Sequence, residues 1–174
     1  MKNTEGAYKW IVDLLHQQNI PFQISGGFVA RLYGSDRPLY DIDIEIHDND
    51  FAKLLPFVKE KIIYGPERYK DETFELLLMT LKYDGQEIDI CGCDSDMLFN
   101  QDTQEWESCG TDIAKAIMQE VYGIKIPIIA WQSLIDYKKK ISRPTDLEDV
   151  KNIEQYVASR QISTTKPQRY IDAK

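Results

Sequence analysis

The stretch Tyr40-Asp41-Ile42-Asp43-Ile44-Glu45-Ile46-His47 alternates acidic and β-branched residues without a break. A period of two is that of a strand, so Ile42, Ile44 and Ile46 share one face and Asp41, Asp43 and Glu45 the other. The isoleucine face belongs in a core, and the acidic face must look elsewhere. With a rise of ~3.3 Å per residue, the Cβ atoms of Asp41 and Asp43 stand about 6.5 to 7 Å apart. Ile88-Asp89-Ile90 repeats the pattern later in the chain. If the two strands are neighbours, three carboxylates crowd one edge of a sheet, which is unfavourable unless protons or cations sit among them. Mg²⁺ takes oxygen ligands and commonly binds one or two carboxylates together with substrate phosphates. Two such ions can activate a hydroxyl and stabilise a leaving pyrophosphate. Alternating Ile and Asp is also what a solvated strand edge shows, so the weight falls on what precedes it.

Ser25-Gly26-Gly27 follows a short apolar segment, Phe22 to Ile24, and leads into Phe28 to Tyr33, which reads as a brief helix stopped by Gly34. Glycines let a backbone approach a ligand closely, and N–H groups at a helix start favour phosphate oxygens. Ser25 adds a hydroxyl donor. A Gly-Gly pair alone is mostly a turn; here one helix and one loop separate it from the carboxylate strand. Triphosphate donors and metal ligands are therefore expected to face each other across one cleft.

Outward from this centre, residues 5–18 carry Ala7, Trp10, Ile11, Leu14 and Leu15 at helical spacing behind Asn3 and Thr4. Asp48-Asn49-Asp50 caps an apolar-periodic segment that Pro56 is expected to break or kink. Residues 73–83 and 86–91 form a hairpin across Asp84-Gly85, a pair suited to a type I′ turn. From Asp94 to Gly110 the chain is polar and reads as a surface loop. Val121 and residues 124–129 are strand material around Tyr122-Gly123. Two helices follow, Trp131 to Lys140 and Asp146 to about Ser159, the second with a Thr145-Asp146-Leu147-Glu148 capping box behind Pro144. The tail from Ser163 reads as loose. The expected fold class is α/β (α+β), a mixed sheet with helices packed on one side, in one domain spanning 1–174. Its core covers 1–100 and its C-terminal helices 128–160.

The chain has 174 residues, 43% hydrophobic and 29% charged, which is globular composition. No apolar run reaches the roughly 20 residues of a membrane span, and no signal-peptide pattern opens the chain, so a cytoplasmic location is expected. A net charge of −8 argues against nonspecific nucleic-acid binding. The three cysteines, Cys91, Cys93 and Cys109, read as free, buried or half-buried thiols. A zinc site at Cys91-Gly92-Cys93 lacks ligands in sequence, because His16 and His47 are far away. His47 itself reads as a surface residue at a strand end. Trp131 and Tyr137 read as core.

Gly26-Gly27, thirteen intervening residues, Asp41-Ile42-Asp43 and then Asp89 on a later strand together resemble the nucleotidyltransferase superfamily of the DNA polymerase beta type. Gly26-Gly27-Phe28-Val29-Ala30, Gly34 and Arg37 look most like the small aminoglycoside and lincosamide nucleotidyltransferases and their relatives. Leu134, Lys138, Arg143, Asp146 and Asp149 keep the spacing of a helix-pair signature in many small members, with Thr145 where a Lys is common. Phe28 stands where many members have Ser. The resemblance covers roughly residues 20–155.

The resemblance implies that Asp41 and Asp43 ligate both metals and that Asp89 ligates one while helping to deprotonate an acceptor hydroxyl. Ser25, Gly26, Gly27, Arg37 and Lys138 would bind the nucleotide. It implies two Mg²⁺ ions, an NTP substrate with ATP the first choice, and a small-molecule hydroxyl acceptor, with pyrophosphate released. Arg143 with Asp146 or Asp149 reads as an ion pair fixing the last helix, and Glu45 as a supporting or solvated group. The acidic segment Asp94, Asp96, Asp102, Glu105 and Glu107 would suit a polycationic acceptor or simply be solvated. Other readings are a protein-modifying, toxin-neutralising nucleotidyltransferase and a non-catalytic nucleotide- or partner-binding member.

Overall fold

The computed structural model describes residues 2–160; the expected loose tail lies outside them. In chain order the elements are α1 (Thr4–Gln17), β1 (Phe22–Ile24), α2 (Gly26–Leu32), β2 (Asp41–Ile46), α3 (Phe51–Val58), β3 (Ile62–Lys70), β4 (Phe74–Tyr83), β5 (Gln86–Gly92), β6 (Met97–Asn100), β7 (Glu105–Ser108), β8 (Ile117–Val121), β9 (Ile124–Ile128), α4 (Trp131–Ile141) and α5 (Pro144–Arg160). The α+β class stands.

The strands form one mixed sheet in the order β7-β6-β4-β5-β2-β1-β9-β8, with β3 on β4. β4 is long enough to hold β5 and then β6 along one edge while β3 runs along the other. At the centre β2 and β5 are parallel, with Ile42 opposite Ile88 and Ile44 opposite Ile90. All four isoleucines are fully buried. They join Ile11 and Leu15 of α1, Phe28 and Val29 of α2, Leu54 of α3, Leu134 of α4 and Ile153 of α5 in one hydrophobic cluster.

Local signals account for most boundaries. The Asn3 side chain caps α1 by accepting from Gly6 N–H. Asp84 and Gly85 both take positive φ, as a type I′ turn requires. Tyr122-Gly123 does the same between β8 and β9.

Four expectations need correction. Gly26-Gly27 is not a turn before a helix but the first residues of α2. Pro56 does not break α3, which ends two residues later; the carbonyl it leaves without a helical donor is that of exposed Ala52, open to water. Residues 94–110 are not a loop, since β6 and β7 pair from Met97–Ser108 to Asn100–Glu105. β7 is mostly solvent-facing, so its polar sequence lacks the alternation that marks a half-buried strand. α5 starts at Pro144, with the proline itself at the first helical position, and Asp146 serves ion pairs. β3 escaped the sequence reading altogether, because its burial follows no period of two and Gly65-Pro66 interrupts it.

Replacing fully buried Ile44 with Ala should destabilise the chain by roughly 2–5 kcal/mol. Met118→Ala, at a side chain 62% exposed on β8, should stay within about 0.5 kcal/mol of the parent. Urea unfolding midpoints compare the two, and equal losses would contradict the core assignment.

Candidate active site

The parallel register sets Asp43 opposite Asp89 and Asp41 opposite Glu87. Because Ile42, Ile44, Ile88 and Ile90 are anchored inward, the intervening carboxylates project together from the other face. Asp41, Asp43 and Asp89 each bring a carboxylate oxygen within 4.8 Å of the other two. The convergence expected from the sequence is therefore present.

Burial pushes the Asp43 carboxyl up to about 7, reinforced by Asp41 and Asp89 and opposed by Lys138 and the Gly27 N–H. Burial also raises Asp89, against a Thr80 hydrogen bond that lowers it, with Asp41 and Glu87 adding to the rise. Asp89 Oδ1 is buried and has no hydrogen-bond partner. A buried acceptor left in this state is costly. An all-oxygen donor set of clustered carboxylates with one orphaned oxygen fits a hard divalent cation such as Mg²⁺.

β1 lies antiparallel to β2, with Ile24 opposite Ile44, and the Ser25 N–H donates to the Asp43 carbonyl at 3.0 Å. This pairing delivers the start of α2 to the carboxylates. Gly27 N–H donates to Asp43 Oδ2 at 3.3 Å. Gly26 has φ +60, and a Cβ there would fall 1.7 Å from Asp43 Oδ2. Only glycine combines that conformation with that clearance. A Cβ on Gly27 would meet Arg37 Nη2 at 2.4 Å. Ser25 is buried, and its hydroxyl makes no capping bond.

Arg37 is no solvated loop arginine. Its Nε donates to both Asp149 oxygens, at 2.9 and 3.0 Å, which leaves Nη2 over Gly27. Asp149, fully buried, also accepts from Ser35 Oγ at 2.7 Å and pairs with Lys138 at 2.9 Å. Lys138 is itself 4% exposed and pairs with Asp146 at 2.9 Å. Arg143 closes the chain on Asp146 at 2.6 Å, as the sequence reading expected. Burial pushes Asp146 up, but Arg143 and Lys138 outweigh it, and its carboxyl lies below the ordinary value. The helix-pair spacing is thus a buried ion network joining α4 and α5 to the loop after α2. Removing one partner of such a network strands a buried charge.

One cavity of about 670 Å³ takes in Asp41, Asp43 and Asp89, Ser25 to Gly27, Arg37, Lys138, Arg143 and Asp146, while Asp149 and Ser35 lie behind its wall. Its remaining wall comes from Tyr64 and Tyr69 of β3, an element the sequence reading left out, and from Phe74, Leu76 and Leu78 of β4, the first strand of the expected hairpin. Tyr137, expected in the core, lines the cavity too. Glu45 enters it, held by Gln23 at 2.6 Å and by Thr111. Of the acidic segment, Asp96 alone lines the cavity, and burial lifts its carboxyl to about 7 against a Leu77 N–H bond. Cys91, Cys93 and Cys109 also face it, but burial first, then nearby carboxylates, push all three thiols up, so none is an activated nucleophile. The cysteines are free, as expected. No helix among the described residues is long and apolar enough to cross a membrane.

No family model matches the chain, and no curated protein matches it by sequence. Solved structures do. A protein of Thermotoga maritima provisionally described as a nucleotidyltransferase superposes with a TM-score of 0.64 at 20% identity, covering 92% of this chain and 97% of that one. The lincosamide antibiotic adenylyltransferase LnuA, with lincomycin bound, gives 0.60 at 20% identity over 90% of this chain and 99% of its own. ANT(2″)-Ia, in complex with adenylyl-2″-tobramycin, gives 0.50 at 15% identity over 86% and 84%.

Asp43 also makes a prediction about pH. Between the ordinary carboxylate value of 3.8 and about 7, the folded chain holds a proton on Asp43 that the unfolded chain has released. Stability from this group therefore falls as pH rises through that window. Asp43→Asn removes the term, so the metal-free variant should melt at or above the parent at about pH 8 and lose less stability from about pH 5 upward. Thermal melts in chelator across that range test it; parallel curves would contradict the crowding. Superposition on the solved structures named above shows that the chain has the nucleotidyltransferase fold.

Proposed function

We propose that this chain is a metal-dependent nucleotidyltransferase that moves a nucleoside monophosphate, from ATP in the first instance, to a hydroxyl of a small molecule. The observation that carries the reading is the meeting of Asp41, Asp43 and Asp89, with its orphaned oxygen, beside the Gly26-Gly27 backbone in one cavity.

In the reaction the acceptor oxygen bonds to the α-phosphorus as the bond to pyrophosphate breaks, and the hydroxyl proton leaves to a base. Bound Mg²⁺ would neutralise phosphate charge and make the hydroxyl more acidic. Asp41, Asp43 and Asp89 would hold it. Asp89 is the candidate base, since its raised pKa brings its proton affinity nearer to neutral pH. Gly26 and Gly27 would let triphosphate oxygens approach the main chain, with Ser25 Oγ and Arg37 Nη2 as further donors. Lys138 acts at one remove: it favours the charged form of Asp43 and holds Asp149, which aims Arg37.

The other wall describes the acceptor. Tyr64, Tyr69, Phe74, Leu76 and Leu78 offer apolar and aromatic surface, while Glu45 and Asp96 offer carboxylates. That pairing suits a hydroxylated molecule with a partly apolar body and an amine. Two of the solved structures named above hold an antibiotic or its adenylylated product, which accords with a small-molecule acceptor.

Mg-ATP should raise the melting temperature of the parent, and pyrophosphate should appear when hydroxylated amines are supplied. Asp43→Asn should fold, lose most of the Mg-ATP shift and lose turnover by at least about a hundredfold. A full ligand shift in that variant would sink the metal-site reading. Gly27→Val should weaken ATP binding by displacing Arg37 and blocking the backbone. Unchanged ATP affinity there would leave the glycine pair with a conformational role only.

A further inference from the structure

At the edge of the cavity, which only Cys93 of the three lines, the ends of β2 and β5 bring together three donors that the sequence keeps apart. His47, which follows β2, lies against Cys93 and Asp94, which follow β5. The separation from Cys93 is 46 positions along the chain. His47 Nδ1 stands 3.6 Å from Cys93 Sγ and 2.8 Å from Asp94 Oδ1. Cys93 Sγ stands 3.7 Å from Asp94 Oδ1. One nitrogen, one sulfur and one oxygen thus form a closed triangle, and all three lie within 4.8 Å of one another.

Both short contacts use the same ring nitrogen, so the group is not a relay in which histidine passes a proton from thiol to carboxylate through its two nitrogens. The dimensions fit a different object. Tetrahedral zinc with Zn–S ~2.3 Å and Zn–N or Zn–O ~2.0–2.2 Å has edges of roughly 3.5–3.6 Å to sulfur and about 3.4 Å between nitrogen and oxygen. The two edges to sulfur, 3.6 and 3.7 Å, lie within about 0.1 Å of that length. Only the histidine–carboxylate edge is short, as a hydrogen bond, and would open by about 0.6 Å on metal binding.

The three donors are also held from behind. Cys93 N–H donates to the Ile46 carbonyl at 3.0 Å. Asp94 Oδ2 accepts from Asp48 N–H at 2.9 Å, which turns Oδ1 toward the triangle. Asp48 is fixed in turn by Ser95 Oγ at 2.5 Å. Such outer bonds orient ligands in metal sites. The thiol is buried, whereas the His47 and Asp94 side chains are 47% and 46% exposed. The triangle therefore has one sealed corner and an open side from which an ion and its fourth ligand, a water, can enter.

We propose that His47 Nδ1, Cys93 Sγ and Asp94 Oδ1 form a second metal site, separate from the Asp41, Asp43 and Asp89 cluster and selective for a borderline-soft divalent ion of the zinc type. Thiolate and imidazole ligands favour zinc over magnesium. Binding releases the thiol proton to solvent and so tightens as pH rises. The bound ion ties the end of β2 to the end of β5, the two strands that carry Asp41, Asp43 and Asp89.

Cobalt(II) is the probe, because thiolate ligation gives it a near-ultraviolet charge-transfer absorption that oxygen ligation does not. Chelator-stripped, reduced protein titrated with Co²⁺ should develop this band to one equivalent, Zn²⁺ should remove it, and excess Mg²⁺ should not. Asp43→Asn, which disables the cleft, should keep the band. Cys93→Ser should abolish it, and His47→Ala, at an exposed side chain that leaves the core untouched, should weaken Co²⁺ affinity by at least about tenfold. Zn²⁺ should raise the melting temperature of the parent and of Asp43→Asn, but not of His47→Ala. Absence of the band in the parent would reduce the triangle to a hydrogen-bonded cluster. Persistence of the band in Cys93→Ser would place the metal on Cys91 or Cys109. Either result overturns the proposal and leaves the nucleotidyltransferase reading untouched.

Discussion

Six residues of β2 run parallel to six of β5 in a single register, and that register sets Asp43 opposite Asp89. The side-chain period of a strand is two, so sliding β5 by one residue would turn Asp89 into the core and an isoleucine into the cleft. Ile42, Ile44, Ile88 and Ile90, all fully buried, hold the register because their burial is lost in any slip. Hydrophobic anchoring on one face thus forces like charges together on the other. The site's electrostatic cost, visible in the raised Asp43 and Asp89 carboxyls, is offset by the core beneath it.

The surrounding structure serves this arrangement by countering charge at a distance. Lys138 lowers the Asp43 pKa, yet its ammonium is bound to Asp146 and Asp149 rather than to the cleft carboxylates. A lysine bonded to Asp43 would neutralise the group that a cation needs; one held a step away tempers the repulsion and leaves the carboxylate oxygens available. The same aspartates aim Arg37 across Gly27. Because each buried charge in the network is satisfied by another, the helices α4 and α5 and the loop after α2 are fixed relative to one another. The gain is in positioning more than in net stability.

The cavity is two-sided for a topological reason. β5 ends early along β4, and β6 continues beside the rest of that edge while β3 covers the other. The long strand therefore extends beyond the carboxylates and supplies Phe74, Leu76 and Leu78 as a second wall. The clustered carboxylates and the apolar wall come from different lengths of the same sheet, so one can vary without disturbing the other.

The residues of the candidate site whose role depends on local pattern were legible from the sequence. Alternation in 40–47 and 86–91 determined which faces Asp41, Asp43 and Asp89 share, and Asp84-Gly85 determined the hairpin. Burial of one strand face is a local property of the chain, so these features followed directly. What crosses the chain did not. β3 and β7 lack alternation because neither face is uniformly buried, and β6 alternates in burial but carries apolar residues on both faces, so Tyr64 and Tyr69 and the strand after Asp96 went unseen. The hold of Asp149 on Arg37, at 112 positions of separation, and the approach of His47 to Cys93 exist only once the sheet is assembled. The sequence by itself determined which residues point together from each strand. Only the tertiary structure decided which strands lie side by side, because pairing partners are selected by the packing of the whole core and leave no periodic trace in either segment.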